Sequence, residues 1–339
     1  MDSSELFGSL TTDRRASIGL IGFGRWGQTI ARSLDNNKNC KLSAIVSHYP
    51  VASDQLPKDC TVYSTSVEMY QKHSISAVII ANSPKDHYQE ALLALENNLP
   101  TWIEKPLTAN PEESLDLLAV ATRLNSRVFV DHIFVHSFGW SIFKSASHDM
   151  GKLIRVQSKG GAPLPIRDSI SPLWDWGPHD ISLVLDLVGL KPLSISAGLQ
   201  ANTASDKKTT FNTKLDIKFP GGILTSSIFG NSFSEKTREL KAHFEFGQLE
   251  ILNFDDGPIL KIQNHLMHKQ KVTEIPIPRV PRPLDAAITK FLELIADTDV
   301  DLGDLRLGHD VVSILGEAEH QIFTQPFLQS IPTINTVEE

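Results

Sequence analysis

The most constraining stretch of the chain is a short apolar run, Ala16–Ile21, that ends directly in Gly22-Phe23-Gly24-Arg25-Trp26-Gly27. A helical pattern follows, with Trp26, Ile30, Ala31 and Leu34 on one face. An apolar run of this length without alternation suits a strand buried on both faces, as in parallel sheets covered by helices. The three glycines then have separate tasks. Gly22 permits the tight turn, Gly24 lets a pyrophosphate approach the backbone, and Gly27 lets helix and strand pack closely. The unpaired N–H groups at the helix start would face the phosphates. A glycine-rich turn with no ligand is the competing reading, and the strand-turn-helix setting weighs against it.

The same alternation continues downstream. Strands are expected at 41–47, 77–81, 101–103 and 127–130, with a weaker helix at 67–72. Ser83-Pro84-Lys85-Asp86 reads as an N-cap, a first-turn proline and an acid at the positive end of a helix dipole, opening a helix to about residue 97. Asn110-Pro111-Glu112-Glu113 repeats that logic for a helix to about residue 124. Asn36 or Asn37 would close the first helix in a left-handed turn. The pattern predicts an α/β fold with an N-terminal doubly wound parallel sheet of the Rossmann kind. After about residue 133 the texture changes. Strands are expected at 152–159, 193–200, 212–219, 223–229, 239–246 and 248–252, and helices at 178–188, 284–296 and 309–324. That half reads as an α/β domain built on a large open, mostly antiparallel sheet. The expected division is a flexible leader at 1–15, a dinucleotide-binding domain at 16–132 and a second domain at 133–339.

Composition excludes several classes. The net charge of -8, without any Lys/Arg stripe, argues against nucleic acid as a partner. Cys40 and Cys60 have no CxxC or Cys/His neighbourhood, so they read as free thiols of a reducing compartment, with no metal site. No apolar stretch is long enough for a signal peptide or a membrane span, which leads to an expected cytoplasmic location.

The residue that reads the adenosine ribose should lie about 20 residues past the glycines. Ser47 and His48 fall there, and no acid occurs from 41 to 51. A missing carboxylate removes the group that would repel a 2′-phosphate, so the cofactor is NADP or NAD with a lean to NADP. Ser47 bonding a plain ribose is the alternative. Glu104-Lys105-Pro106 follows a strand, and ligands of open α/β sheets bind beyond the carboxyl ends of strands. Lys105 there could donate to a reacting hydroxyl; taken alone, it reads as a solvated surface lysine, and its location is what argues otherwise. In Trp174-Asp175-Trp176-Gly177-Pro178-His179-Asp180, Asp175 and His179 lie four apart at a helix start. A carboxylate beside an imidazole makes a general base near neutral pH. A helix cap and a buried structural histidine are the bland readings of the same two residues.

In that order, the glycine motif, the EKP tripeptide and Asp-x-x-x-His together resemble the glucose–fructose oxidoreductase / inositol dehydrogenase / rhizopine catabolism (Gfo/Idh/MocA) family, over roughly 16–325. The resemblance implies Lys105 as catalytic lysine, His179 as base and Asp175 as its conserved acid. It implies that Asn82-Ser83-Pro84 with His87 lies along the cofactor, and that Glu104 lies near the nicotinamide ribose. It implies hydride transfer between nicotinamide and a carbinol carbon of a sugar, sugar nucleotide or cyclitol. It also implies a homodimer or homotetramer formed through the open sheet face. The chain departs from the pattern on the substrate side. Ser182 stands where many members have Asp, Asp131-His132-Ile133-Phe134 where many have Arg, and Ser171-Pro172-Leu173-Trp174 where a glycine run is common. Asp131, His132, Trp174 and Asp180, with His136, are therefore candidates for substrate contacts; satisfying loop backbone is the other reading of Asp131, His132 and His136. Two rivals remain open: a dinucleotide-responsive regulator without turnover, and a glycosidase using tightly bound NAD.

Overall fold

The computed structural model describes residues 15–163, 170–200, 211–254, 257–264 and 272–324. All of the expected leader except residue 15 lies outside the described residues. In chain order, β1 (Ala16–Ile21), α1 (Arg25–Asp35), β2 (Cys40–Val46), β3 (Thr61–Tyr63), α2 (Ser66–Lys72), β4 (Ala77–Ile80), α3 (Pro84–Glu96), β5 (Thr101–Glu104), α4 (Pro111–Leu124) and β6 (Val128–Asp131) come first. Then follow α5 (Phe138–Ser147), β7 (Leu153–Gly161), α6 (Pro172–Val188), β8 (Ser194–Gln200), β9 (Asn212–Lys218), β10 (Leu224–Gly230), β11 (Thr237–Phe244) and β12 (Gly247–Leu252). β13 (Ile259–Asn264), β14 (Val272–Pro276), α7 (Pro283–Ala296) and α8 (Gly303–Thr324) complete the described chain. It divides into two compact units, one of residues 15–138 and 281–309, the other of the remainder.

The first unit holds a six-stranded sheet in the order β3-β2-β1-β4-β5-β6. Every neighbouring pair in it is parallel. The strand order reverses at β1, which lies between β2 and β4, and that reversal opens a crevice at the carboxyl ends of the strands. Burial explains the short apolar strands: all four residues of β4 are buried, and so are all four of β5. One face is covered by α1 and by Leu284, Ala287, Ile288 and Phe291 of α7, packed on Ile18, Leu20, Trp102 and Phe129. Trp102 meets Phe291 edge-on, with centroids 5.5 Å apart. The contiguous division at 132/133 places α7 with the second domain, whereas its apolar stripe returns to the first sheet. Local signals set the helix ends. Thr65 accepts from Glu68 N, and Asn110 accepts from Glu113 N. Asn36 stays right-handed at φ -80° instead of adopting the expected left-handed turn, because its side-chain amide donates to the Arg32 carbonyl at 2.8 Å and closes the helix without it.

The second unit holds an eight-stranded sheet in the order β14-β13-β12-β11-β7-β10-β9-β8. Only the β7–β10 pair is parallel. Along β11, Arg238, Leu240, Ala242 and Phe244 are buried while the alternate residues are half-buried. α6 packs against β7, β9 and β10. On the other face, cross-strand ion pairs Lys159–Glu239, Lys241–Glu250 and Lys261–Glu274 lie at 2.9, 3.2 and 3.0 Å. Three strands, β3 in the first unit and β13 and β14 in the second, and the helix α5 exceed the sequence expectation. α6 also begins at Pro172, six residues before the expected start at 178. Both Pro172 and Pro178 suit a first helical turn. Pro178 sits inside the helix at the cost of one backbone hydrogen bond.

A buried ion pair pins α6 to the sheet. Arg238 Nη1 lies 3.1 Å from Asp180 Oδ2, with the side chains 4% and 2% exposed. Gly160 makes room, since a Cβ there would sit 3.0 Å from Arg238 Nη1. Breaking such a pair strands an uncompensated charge and costs about 3–5 kcal/mol. We expect Arg238→Leu alone to lose about that much in urea unfolding, and Asp180→Leu with Arg238→Met to recover most of it.

Candidate functional site

The glycine turn is shaped by three different constraints. Gly22 has φ +95°, and a Cβ there would lie 2.6 Å from the backbone nitrogen of Asn82. A Cβ on Gly27 would strike the Gly22 carbonyl, whereas one on Gly24 would meet open space. The first bond of α1 runs from Gln28 N to Gly24 O at 2.9 Å, so the preceding N–H groups of Arg25, Trp26 and Gly27 have no intrahelical acceptor. α1 has no side-chain cap and no acid in its first turn. α2, α3 and α4 all carry acids there. The open glycine beside an uncapped, acid-free helix start fits the pyrophosphate of a dinucleotide. Of the flanking residues, Phe23 is half-buried, and Arg25 and Trp26 are exposed.

Ser47 and His48 follow β2, where the ribose reader was expected. Ser47 Oγ donates to Tyr49 O at 2.8 Å and accepts from Tyr49 N at 3.2 Å, and His48 is exposed. Asn82, Ser83 and Pro84 leave β4 beside Gly22. Ser83 occupies the N-cap of α3 without a side-chain bond. His87, one turn into α3, is buried, and its Nδ1 lies 2.9 Å from Pro106 O. Burial pushes its pKa down to about 4, against backbone hydrogen bonds that favour the cation. A neutral imidazole therefore ties α3 to the Glu104-Lys105-Pro106 turn.

At the ends of β5 and β6, Glu104 and Asp131 are register partners. Both are buried, at 5% and 1% exposure, and half-buried Lys105 follows directly. The indole of Trp102 donates to Glu104 Oε1 at 3.3 Å. Burial raises the Glu104 pKa, offset by hydrogen bonds from the Trp26 indole and Asp131 and by the Lys105 charge. Asp131 is raised well above the usual carboxylate range, first by burial and then by the charge and hydrogen bond of Glu104. His132 is buried with neither ring nitrogen hydrogen-bonded among the described residues. Burial, with the charges of His136 and Lys105, pushes its pKa down to about 3. His136 lies 3.7 Å from Asp304, and its ring meets that of Phe129 at a tilt of 32° with centroids 4.6 Å apart.

In the second unit, α6 presents the other expected residues. Asp175 and His179 lie one turn apart on the same flank and are half-buried. The backbone N–H of Asp175 bonds Ser171 O at 2.9 Å, and Ser182 Oγ donates to His179 O at 3.1 Å. Trp174 donates from its indole to Glu319 at 3.0 Å. Asp180, held by Arg238, has a pKa raised by burial and lowered again by Arg238 and Ser158. The guanidinium of Arg238 also sits 5.4 Å over the Trp176 ring. Sequence reasoning missed Arg238 and the Glu104–Asp131 pairing. The only sequence signal for the pairing is that each acid closes a buried apolar strand.

A family model described as an oxidoreductase family with an NAD-binding Rossmann fold matches residues 16–132. Among solved structures, a Magnetospirillum magnetotacticum MS-1 protein provisionally assigned as an oxidoreductase is similar with a TM-score of 0.80 at 27% identity, covering 89% of this chain and 99% of its own. UDP-N-acetylglucosamine 3-dehydrogenase from Acidithiobacillus ferrooxidans reaches 0.76 at 19% identity, over 91% of this chain and 98% of that one. A 3-ketoreductase from Actinomadura kijaniata, solved with TDP-benzene and NADP, reaches 0.74 at 15% identity, over 90% and 96%. At those last two identities the likeness is one of fold. A comparison with curated protein sequences finds no match.

The glycine geometry separates folding from binding. Gly24→Val should fold with a melting temperature close to the parent and lose dinucleotide affinity, read by fluorescence titration. Gly22→Val forces a side chain into the left-handed region against Asn82, so it should cost roughly 1–3 kcal/mol or more in stability. Undiminished affinity in a folded Gly24→Val protein would overturn the phosphate assignment.

Proposed function

We propose that the chain, whose residues 16–132 match the Gfo/Idh/MocA family model, is an oxidoreductase of that family that transfers a hydride between a nicotinamide dinucleotide and a carbinol carbon of a sugar, sugar nucleotide or cyclitol. The observation that carries this reading is the open Gly24 position at the uncapped start of α1, which follows β1 of the parallel sheet whose strand β5 ends at Glu104, just before Lys105. The substrate class is supported by the structural relatives, among them the UDP-N-acetylglucosamine 3-dehydrogenase, the 3-ketoreductase with its TDP ligand and an aldose–aldose oxidoreductase from Caulobacter crescentus.

The roles follow from side-chain chemistry and the family likeness. Gly22, Gly24 and Gly27 admit the pyrophosphate, with the backbone of Phe23, Arg25 and Trp26 around it. Asn82, Ser83, Pro84 and His87 line the neighbouring strand end, and Glu104 stands by the nicotinamide ribose. When bound, the dinucleotide supplies the hydride acceptor or donor. His179 Nε2 takes the hydroxyl proton, Asp175 orients the imidazole, and Lys105 Nζ donates a hydrogen bond to the reacting oxygen as negative charge develops. NADP is favoured because no carboxylate follows β2 before Asp54. Two or four copies associate through the open face of the eight-stranded sheet in the cytoplasm. Among the described residues, no helix is long and apolar enough to cross a membrane.

Screening oxidised cofactor against sugars, cyclitols and sugar nucleotides supplies the assay. His179→Ala and Lys105→Ala should each lose about 10²–10⁴ in kcat while still binding cofactor. Because the two act as a unit, the double variant should lose less than the product of the single losses. Parental turnover in His179→Ala would sink the assignment. NADP should bind at least as tightly as NAD, and Ser47→Asp should shift the ratio of dissociation constants toward NAD by repelling the 2′-phosphate. A parent protein that strongly prefers NAD would overturn that choice.

A further inference from the structure

We propose that Glu104 and Asp131 hold one proton between them and act as a singly charged carboxyl pair that positions Lys105. The positioning role rests on the proposed hydride transfer; the shared proton does not.

The geometry starts from register. β5 and β6 are adjacent parallel strands, and Glu104 and Asp131 are paired as their last residues. Side chains at paired positions point to the same face of the sheet. That face is lined by Trp102 and Phe129, each two residues earlier on its strand. The two carboxyls thus face one another inside the first unit, at 5% and 1% exposure. Ionised carboxylates only accept hydrogen bonds. Among the described residues, neither oxygen of Asp131 receives a donor. Two bare carboxylates in contact, out of water, repel and leave these acceptors unsatisfied. One proton between them removes both penalties.

The surroundings say where the proton sits. Glu104 is served by donors, the indoles of Trp102 and Trp26. Asp131 has none, and the carboxylate of Asp304 on α8 disfavours a charge on it. The negative charge therefore belongs on Glu104 and the O–H on Asp131, donating to Glu104. Lys105 lies beside the pair and favours ionisation of both, while His132, next to Asp131 in the chain, stays neutral under its burial and the charges of His136 and Lys105. A single charge on Glu104 draws the Lys105 ammonium less strongly than two charges would. A second charge on Asp131 would draw it down onto the pair. Trp26, in the glycine turn, touches the same Glu104 carboxyl, so the pair also links the pyrophosphate turn to the lysine.

The proton can be counted without any substrate. An unfolded Asp131 is ionised at pH 7, so unfolding the parent should release about one proton more than unfolding Asp131→Asn, whose amide keeps the donor and has nothing to lose. The sign for stability follows. A group whose pKa is raised in the folded state gives stability that is full below its unfolded value, near 4, and fades as pH rises toward the folded value. The parent should therefore lose melting temperature relative to Asp131→Asn as pH climbs above about 4. In the parent at neutral pH, infrared spectroscopy should show the carbonyl band of a protonated carboxylic acid, shifted in D2O. That measurement needs no variant to fold. Equal proton release, parallel melting curves or an absent band each overturn the shared proton. For positioning, once a substrate is found, Asp131→Ala should lower kcat tenfold or more with little change in cofactor affinity. Asp131→Asn should recover most of that loss and move the alkaline limb of the kcat profile. Equal kcat in the Ala and Asn variants overturns the positioning role. Failure to find any turnover would count against the hydride-transfer reading and leave the proton count standing.

Discussion

The parallel pairing of β1 with β2 on one side and β4 on the other is the constraint on which the first unit depends. It fixes the reversal of strand order, and the reversal fixes where strand ends stand clear of helices. Gly22 leaves β1 there, Asn82 leaves β4, and the two touch so closely that a single Cβ would part them. From that point outward the sheet sets the rest. β5 beside β4 brings Glu104 and Lys105 to the same edge, and β6 beside β5 brings Asp131. The chemistry of this edge is a consequence of order and register, not of sequence proximity, since Gly22 and Asp131 are far apart along the chain.

The second unit solves a different problem. α6 must lie flat on a mixed sheet while carrying a half-buried flank with Asp175 and His179. Small residues and one ion pair do this. Gly177 lets the helix approach, as a Cβ there would lie 2.7 Å from Leu315 and 3.0 Å from Phe229. Asp180, next to His179, is drawn to the sheet by Arg238. Asp180 and His179 are adjacent in sequence and about 100° apart around a helix, so anchoring the first leaves the second turned away from the sheet. The ion pair contributes orientation more surely than net stability.

What the sequence made legible was local. The run from β1 through the glycines into α1 could be read residue by residue, because strand, turn and helix each leave their mark within a few positions. The α3 and α4 starts were readable for the same reason. What stayed hidden needed a partner. Glu104 and Asp131 look like two unrelated acids until β5 and β6 are known to be neighbours in register. Arg238 reads as one more charged residue of a strand until α6 is laid over it. The apolar stripe of α7 does not say which of two sheets it covers. Pro172 and Pro178 each satisfy the first-turn rule, so composition alone could not place the start of α6. β14 escaped because all five of its residues are exposed, which leaves no buried alternation to detect.

That exposed strand has a consequence of its own. Among the described residues β14 is the last strand of the eight-stranded sheet and leaves one row of backbone donors and acceptors without a neighbouring strand, beside Val272 and Ile275 at 49% and 39% exposure. Such an edge is a template on which another chain can add and aggregate. Here the strand closes on Pro276, which has no N–H to offer, and Pro278, Pro281 and Pro283 follow. The charge of Glu274 lies at its middle, tied to Lys261 on the inner neighbour. A strand arriving from solution would find the ladder interrupted after a few residues and a fixed charge beside it. The proline-rich connector before α7 thus serves as an edge guard, shortening the stretch of β14 on which another strand could add.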